Sequence, residues 1–378
     1  MTKDDFVERQ FFDFSKAFSD PALARSLVQA IERECAEPLT FMEVCGTHTV
    51  AIFRSGIHSI LPETVVHLSG PGCPVCVTHE QEVELFLQIA ARPDAIVATF
   101  GDLMRVPGMQ GQSLKTAQAE GARVEVVYAP FDALDLARAN PDKQVVFLGV
   151  GFETTAPAIA ATMQMAKAQG LGNFLVLSMH KLVPPALKAL LDDDSARVDA
   201  FMLPGHVSLV LGLAPYQFIA RDYGIPAVVA GFEPLDILAA LLTLARQRNA
   251  IRQGAAAEII NDYPRAVSEH GNPKARAVMD EVFTVVDARW RGLGVIPQSG
   301  LAIAEAYADQ DAMRVLGLTM PEPRTLPGCK CGDVLKGKIR PDQCPLFKKA
   351  CTPANPVGPC MVSTEGSCAA YYKYHAEV

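Results

Sequence analysis

Ten cysteines stand out in this chain of 378 residues, and six of them lie close together near its C-terminal end. They are Cys329, Cys331, Cys344, Cys351, Cys360 and Cys368, separated by one, twelve, six, eight and seven residues. Proline and glycine interrupt this segment, so it has no apolar periodicity from which a core could form. We therefore expect thiolates bound to a metal to hold the segment together.

Three chemistries could use these six sulfurs. Residues Met1–Lys16 are charged and contain no apolar signal segment, which predicts a reducing cytoplasm rather than a disulfide-forming compartment. Structural zinc favours cysteine pairs separated by two to four residues, which this segment lacks, so zinc is the weaker alternative. An iron–sulfur cluster needs four thiolates and tolerates irregular spacing. The pattern thus favours a [4Fe–4S] centre, and the two remaining thiols suggest a redox-active pair.

Cys45 and His48 form a second candidate site, in the sequence Cys-Gly-Thr-His-Thr. Cys45 follows a predicted strand and opens a predicted helix, where backbone N–H groups and the helix dipole favour a thiolate. His48 lies one helical turn further on. A thiolate beside an imidazole fits a soft transition metal or a nucleophile with its base. A buried cysteine with a histidine that caps the turn is the structural alternative.

Cys73 and Cys76 form a C-x-x-C sequence that contains a proline and lies between a predicted strand and a predicted helix. A helix N-terminus lowers the pKa of the first thiol in such a motif. Half of a zinc site is the alternative, but the chain has no second pair of this kind to complete it. We interpret Cys73 and Cys76 as a reversible dithiol.

Short apolar runs alternate with helix-like stretches from residue 39 to about residue 235, which predicts parallel strands covered on both faces. The predicted strands are Thr40–Val44, Thr64–Leu68, Ala95–Thr99, Arg123–Tyr128, Gln144–Val150, Phe174–Ser178, Ala200–Leu203 and Ala227–Ala230. We expect an α/β protein with two doubly wound parallel-sheet domains, residues 22–122 and 123–235. Residues 1–21 and 236–378 are expected to form a third, iron–sulfur domain with a helical linker.

Two details complete this prediction. The region after the long helix is expected to contain turns around Gly292–Gly300 and a helical patch at Leu301–Ala308. The unusual polar residues follow strand ends, where open parallel sheets bind ligands. The sequence therefore predicts a site in a cleft between the two sheets.

The formal net charge of −8 gives no reason to expect nucleic acid or an anionic membrane as a partner. The most apolar helical stretch, Leu235–Ala245, is too short to cross a bilayer. We therefore expect a cytoplasmic protein that binds neither.

Several motifs together resemble the HypD family of [NiFe]-hydrogenase maturation factors, and the resemblance extends over nearly the whole chain. They are Cys45-Gly46-Thr47-His48-Thr49, Gly72-Cys73-Pro74-Val75-Cys76, Phe100-Gly101-Asp102, Gly151-Phe152-Glu153-Thr154-Thr155, Pro204-Gly205-His206-Val207-Ser208 and the six-cysteine segment. The combination is more specific than any single motif. The resemblance implies a scaffold on which the Fe(CN)2CO group of the hydrogenase is assembled.

Further expectations follow from the resemblance alone. Cys45 would bind the transient iron together with a thiolate from a HypC-type chaperone, HypE would deliver cyanide, and His48 would orient or protonate a group at the iron. The tail resembles the cluster environment of ferredoxin–thioredoxin reductase. By that likeness Cys329, Cys344, Cys351 and Cys368 would hold the cluster, and Cys331 and Cys360 would form the adjacent disulfide. Electrons would pass from the cluster through Cys331 and Cys360 to Cys73 and Cys76, and then to the iron.

Two other classes of function stay open at this point. An iron–sulfur thiol–disulfide oxidoreductase would use the same cysteines without iron at Cys45. A zinc-stapled binding module would use the tail for structure only. The residues do not decide whether the chain turns over as a conventional enzyme.

Overall fold

The computed structural model describes residues 20–193, 198–322 and 328–374. The strands are β1 Leu39–Glu43, β2 Val65–Ser69, β3 Ala95–Thr99, β4 Val124–Val126, β5 Gln144–Gly149, β6 Phe174–Ser178, β7 His180–Lys181, β8 Ala200–Pro204, β9 Ala227–Ala230, β10 Ile259–Asn261, β11 Phe283–Trp290 and β12 Gly294–Ile303. The predicted strands at Ala95–Thr99, Phe174–Ser178 and Ala227–Ala230 are confirmed to the residue.

Helices connect most of these strands. They are α1 Pro21–Glu34, α2 Gly46–Arg54, α3 Ile57–Ile60, α4 Pro74–Val77, α5 Glu80–Ala90, α6 Leu114–Ala119, α7 Asp132–Ala139, α8 Ala156–Ala168, α9 Val183–Leu191, α10 Gly205–Leu211, α11 Gln217–Tyr223, α12 Pro234–Arg252, α13 Pro273–Val282, α14 Ala312–Val315, α15 Cys331–Leu335 and α16 Ser367–Tyr374. Short 3-10 helices span Gly101–Arg105, Ala214–Tyr216, Glu305–Gln310, Pro341–Gln343 and Pro359–Met361. None of the helices in the described ranges is long and apolar enough to cross a membrane.

Two parallel sheets and one small antiparallel sheet organise the chain. The first sheet has the strand order β10-β9-β8-β1-β2, and the second has the order β4-β3-β5-β6. All pairs within these two sheets are parallel. Most strand residues of these two sheets are buried, as the continuous apolar runs predict for sheets covered on both faces, and the exposed ones lie in the edge strands β2 and β4. The predicted α/β class with parallel sheets is confirmed.

The pairing of the strands differs from the expected division near residue 122. The first sheet combines β1 and β2 with β8, β9 and β10, while the second sheet forms from the intervening strands β3–β6. The alternation of strands and helices predicts each strand but not its neighbour, because sequential strands pair often rather than always. The two sheets are therefore nested in the chain and do not follow one another.

The prediction for Gly292–Gly300 and Leu301–Ala308 is right only at the two ends of this region. Gly292 lies in a turn, but residues 294–303 form β12, which pairs with β11 as an antiparallel hairpin and also with β7. Helical structure begins only at Glu305, as a 3-10 helix. Four consecutive residues of β11 are exposed, so the alternation that reveals a half-buried strand is missing.

The cysteine-rich segment packs directly on the helices at the edge of the first sheet. Helix α16 lies against α2, and the 3-10 helix Pro359–Met361 lies against α4. A buried cluster joins Phe53 of α2 to Phe347, Met361 and Tyr371 of the segment. Residues 1–19 of the expected third domain lie outside the described residues.

Candidate functional site

Cys45 lies at the carboxyl end of β1 and is the N-cap residue of α2. The backbone N–H groups of His48 and Thr47 at the start of α2 act to lower the pKa of its thiol, as the helix N-terminus predicts. Burial nevertheless raises the pKa of Cys45 to about 12, and the carboxylate of Glu365 adds to this rise. The expectation that the helix start favours a thiolate is therefore wrong for the chain alone, because desolvation outweighs the helix.

Glu43 lies two residues before Cys45 and holds the turn that contains Cys45 through hydrogen bonds. The sequence alone did not indicate this residue. Its side chain is fully buried. One carboxylate oxygen accepts from the N–H of Cys45 at 2.9 Å, and the other accepts from the hydroxyl of Thr49 at 2.5 Å. A buried carboxylate that holds the backbone of Cys45 keeps the thiol in one place.

His48 is fully buried on α2 and faces the loop that follows β9. Its Nε2 donates to the carbonyl oxygen of Gly231 at 2.9 Å, and its ring packs 4.6 Å from that of Phe232. His206 stacks on the same Phe232 ring at 4.0 Å. Burial lowers the pKa of His48 to about 4, so the neutral ring keeps a lone pair on Nδ1. This atom has no hydrogen-bond partner among the residues that the structure describes.

The turn before Cys73 lies directly on Cys45. The N–H of Gly46 donates to the carbonyl oxygen of Gly72 at 2.9 Å. A Cβ atom on Gly72 would lie only 2.1 Å from the backbone nitrogen of Cys45, so only glycine allows this approach. Cys73 and Cys76 are both buried and form a disulfide, with Cα atoms 5.2 Å apart. This is the oxidised form of the predicted dithiol.

Carboxylates from three parts of the chain converge near Cys45. Glu365 of the cysteine-rich segment accepts from the hydroxyl of Thr47 at 2.8 Å. Asp102, which follows β3 of the second sheet, is close enough for its charge to raise the pKa of Glu365, although burial is the larger cause. Burial also raises the pKa of Asp102. The predicted meeting of the two sheets' strand ends thus occurs, with the tail as a third contributor.

The second sheet also places Glu153 here. Burial raises the pKa of Glu153 to about 8. One of its oxygens accepts from the N–H of Val183 at 2.9 Å, and the other has no hydrogen-bond partner within the described part of the chain. The buried phenol of Tyr216 is influenced by the charges of both Glu153 and Cys45. A carboxylic acid and a phenol, both protonated at neutral pH, therefore lie close together, and the phenol is close enough to Cys45 to feel its charge.

All six cysteines of the C-terminal segment line one cavity. The cavity is narrow, with a free volume of about 20 Å³, and apolar side chains such as Val334, Leu346, Phe347 and Met361 complete its wall. The predicted cluster ligands Cys329, Cys344, Cys351 and Cys368 all belong to this lining. Burial raises the pKa of Cys368, and the charges of Cys331, Cys329, Cys351 and Cys344 raise it further. The six sulfurs are thus close neighbours.

Cys331 and Cys360 approach each other most closely. Their sulfur atoms are 2.8 Å apart, and both residues are buried. A hydrogen bond from Cys360, with the positive charge of Arg291, lowers the pKa of Cys331, whereas the pKa of Cys360 is raised. The pair predicted to be redox-active is therefore in contact, with Cys331 the better nucleophile.

The chemistry of the cavity fits a four-iron cluster. A Cβ atom on Gly358 would lie 2.8 Å from the sulfur of Cys329, so the wall leaves no room for a side chain there. No three His, Cys, Asp or Glu side chains of the described ranges converge as they would on a single metal ion. The thiolates of a [4Fe–4S] cluster bind four different irons, and sulfurs arranged around a space suit that requirement.

The two cysteine pairs belong to one continuous buried cluster. This cluster contains Cys73, Cys76, Cys331 and Cys360, and Cys329 and Cys368 pack against it. Helix α4, which carries Cys76, lies against the 3-10 helix that carries Cys360. The protein interior is therefore continuous from the tail cavity to the turn on which Cys45 rests.

Comparisons with known proteins show the family to which the chain belongs. The family model HypD, described as the hydrogenase formation hypA family, matches residues 22–375. The hydrogenase maturation factor HypD of Rhodobacter capsulatus is 47% identical over 96% of this chain and 98% of its own length. The protein of the same name in Escherichia coli (strain K12) is 47% identical over 90% of each chain. That of Cupriavidus necator is 44% identical over 96% of this chain and 97% of its own length. With these matches over nearly its full length, the chain belongs to the HypD family.

Proposed function

We propose that this chain is a [NiFe]-hydrogenase maturation factor that serves as scaffold and electron donor for assembly of the Fe(CN)2CO group. The observation that carries the proposal is the continuity of the sulfur sites. The tail cavity with its six cysteines adjoins the Cys73–Cys76 helix, and the turn before Cys73 lies on Cys45. An assembly scaffold that must reduce its cargo needs this proximity of thiol pairs and metal-binding thiol.

Cys45 is the proposed ligand for the iron cargo. Low-spin iron that carries cyanide and CO accepts soft thiolate donors. The chain keeps this thiol protonated until a cation replaces the proton, because burial and Glu365 raise its pKa. His48 cannot serve as an imidazolium near neutral pH, since its pKa is lowered to about 4. Its free Nδ1 can instead accept a hydrogen bond from a group at the cargo.

Cys329, Cys344, Cys351 and Cys368 are the proposed ligands of a [4Fe–4S] cluster, which when bound would supply electrons to the neighbouring thiols. Cys331 and Cys360 then act as a dithiol that reduces the Cys73–Cys76 disulfide. A HypC-type chaperone that shares the iron and HypE as cyanide donor are the proposed partners. These buried thiols need a reducing compartment, so the cytoplasm remains the proposed location.

The experiment is anaerobic copurification of the full chain with a HypC-type chaperone, followed by infrared spectroscopy and iron counting. Cys45→Ala is expected to abolish the cyanide and CO bands and to leave the brown iron–sulfur absorption near 400 nm intact. Cys35→Ala is the matched control, because Cys35 is also buried but caps α1 away from the site. Bands of undiminished intensity in Cys45→Ala would refute the ligand role.

The same preparation separates the alternatives. A plain iron–sulfur thiol–disulfide oxidoreductase would show the brown absorption and no cyanide bands even in the unmodified chain. A zinc-stapled module would be colourless. The family match over residues 22–375 favours the maturation factor over both.

A further inference from the structure

The cysteine-rich segment differs in charge from the rest of the chain. Residues 328–374 contain seven Lys and Arg and three Asp and Glu, a net charge of +4, whereas the whole chain has a net charge of −8. Each of the three acids already has a partner: Asp333 lies 3.4 Å from Lys330, Asp342 lies 3.3 Å from Arg340, and Glu365 accepts from the hydroxyl of Thr47 at 2.8 Å. The segment therefore presents an excess of positive charge.

Lys348 and Lys349 lie at the tip of a closed turn between Cys344 and Cys351, two of the proposed cluster ligands. The N–H groups of Lys349 and Cys351 both donate to the carbonyl oxygen of Leu346, at 3.2 and 2.9 Å. Both lysines are exposed. Because consecutive Cα atoms are about 3.8 Å apart, the Cα atoms of Lys349 and Cys351 lie within roughly 7.6 Å of each other. The two charges thus lie at the edge of the sulfur-lined cavity.

Two more exposed cations lie beside this turn. The ring of Phe347 contacts that of Tyr372 on α16, with centroids 6.2 Å apart, and Lys373 is the next residue. A guanidinium nitrogen of Arg105, at the end of the 3-10 helix that follows β3, donates to the carbonyl oxygen of Pro353 at 3.3 Å. We call these four cations the basic face: Arg105, Lys348, Lys349 and Lys373.

The sulfur-lined cavity comes close to the protein surface at the basic face. Cys344 is only partly buried, and the ring of Tyr372, which is 36% exposed, lies among the charges. An exposed aromatic ring surrounded by cations is a suitable docking surface for a protein of opposite charge.

The proposed function consumes electrons that the chain cannot regenerate by itself. Exchange among its cysteine pairs moves a disulfide from one pair to another and leaves the total number of electrons unchanged. Each reduction of cargo therefore has to be followed by reduction from outside, and the proposed cluster is the group that accepts single electrons.

We propose that the basic face docks a small acidic protein that carries one electron at a time. The proposal rests on the proposed function, which it deepens by naming the kind of partner that reduces the tail. Each encounter oxidises the carrier by one electron. Two encounters bring the two electrons that, with two protons from water, convert a Cys331–Cys360 disulfide into two thiols. Opposite charges steer such encounters, so they should be fast at low salt.

The first measurement is binding of an oxidised plant-type [2Fe–2S] ferredoxin, an acidic one-electron carrier, to the anaerobically purified full chain by calorimetry. At about 20 mM salt the double variant Lys348→Glu/Lys349→Glu should bind at least tenfold more weakly than the unmodified chain, and salt of about 300 mM should remove most of this difference. Lys115→Glu/Lys274→Glu is the matched control, because it makes the same change of charge at exposed lysines of α6 and α13. It should weaken binding at most about twofold, since charges more than a Debye length away are screened.

The second measurement is the rate at which reduced ferredoxin bleaches the brown absorption near 400 nm in a stopped-flow instrument. The Lys348→Glu/Lys349→Glu variant should react at least tenfold more slowly. Its reaction with reduced methyl viologen, a small cation that needs no basic docking surface, should not be slowed. If this variant does not fold by circular dichroism, Lys348→Gln/Lys349→Gln replaces it, with an expected loss of at least threefold in both measurements.

The outcomes separate the docking surface from the cluster. Absence of ferredoxin binding at low salt, or equal weakening by both double variants, refutes the basic face as the docking site. A single-stranded DNA oligonucleotide that binds as tightly as ferredoxin and is weakened by the same variant would show a general anion site and also refute the proposal. The expected binding pattern in a chain without brown absorption, or with absorption that methyl viologen does not bleach, supports the docking surface and refutes the cluster of the proposed function.

Discussion

Replacing Gly72 with alanine tests whether the contact between the two cysteine-bearing turns matters. The new Cβ atom would lie 2.1 Å from the nitrogen of Cys45 and 2.3 Å from the carbonyl carbon of Val44, whereas ordinary contact begins near 3.4 Å. Both obstacles are backbone atoms, which cannot rotate away. The turn must therefore withdraw by roughly 1.3 Å, the difference between 3.4 and 2.1 Å, and the hydrogen bond from Gly46 to Gly72 is strained or lost.

The size of the effect follows from these two changes. Overpacking in a rigid interior costs about 1–3 kcal/mol, and the lost hydrogen bond costs about 0.5–1.5 kcal/mol. We expect a fall of roughly 2–6 °C in the temperature of thermal unfolding, measured by calorimetry. Because the Cys73–Cys76 helix moves away from Cys45, hydrogenase maturation should fall more than the stability loss explains.

The assay compares Gly72→Ala with Gly172→Ala in a hydrogenase-producing host that lacks its own HypD protein. A Cβ atom on Gly172 would meet nothing within 4 Å, so this control should behave as the unmodified chain. Maturation is measured as hydrogenase activity at equal levels of soluble variant. If Gly72→Ala matches the control in both unfolding temperature and maturation, the close approach of the two turns has no role in function.

Three further predictions concern the surroundings of Cys45 and the tail cavity. Thr47→Val removes the hydroxyl that donates to the carboxylate of Glu365 at 2.8 Å. This should destabilise the packing of the cysteine-rich segment on α2 by about 1–3 kcal/mol and increase amide hydrogen exchange around Glu365. Unchanged exchange would contradict the prediction. The pKa of Glu153 is raised to about 8, so between its unfolded pKa and pH 8 the folded chain binds more protons than the unfolded chain and stability falls as pH rises. Glu153→Gln should remove this pH dependence of stability. Between pH 5.5 and 7.5 the free energy of unfolding in urea should fall by about 2–3 kcal/mol more in the unmodified chain than in the variant. An equal fall in both chains would refute the raised pKa of Glu153. Gly358→Ala puts a Cβ atom 2.8 Å from the sulfur of Cys329 and should reduce the iron and acid-labile sulfide bound per chain. An unchanged iron and sulfide content would show that the backbone at residue 358 can move to make room for the Cβ atom.

The sequence was most informative where burial on both faces leaves a simple pattern. The strands Ala95–Thr99 and Phe174–Ser178 are continuous apolar runs, and their bounds could be read directly. The nesting of one sheet within the other could not, since pairing of β1 with β8 depends on contacts between residues about 160 positions apart. The two strands of the hairpin β11–β12 were not predicted, because four consecutive residues of the first strand are exposed.

For the site, the sequence revealed the sulfurs and not the carboxylates. Cysteines are few, so the spacing of Cys45, Cys73 and the tail indicated where chemistry occurs. Glu43 and Glu365 belong to a much more abundant class of 42 acidic residues. What distinguishes them is burial and the groups that donate to them, and both arise only when distant segments meet. The prediction of a thiolate at Cys45 was wrong for the same reason, because the burial that raises its pKa arises only when distant segments meet.

The side chains of Cys45 and Glu365 should hold their protons in the chain alone and release them when a cation binds at Cys45. Without cargo, burial and the Glu365 carboxylate raise the pKa of Cys45, and burial with neighbouring carboxylates raises that of Glu365. A cation bound at Cys45 would reverse both effects, because it attracts the thiolate and the carboxylate that repel each other in its absence. Loading of the proposed iron cargo must therefore release protons, and it should become tighter as pH rises. Because the raised pKa keeps Cys45 as a thiol in the chain alone, the sulfur is a weak nucleophile until a cation replaces its proton, which is the behaviour that the proposed role requires.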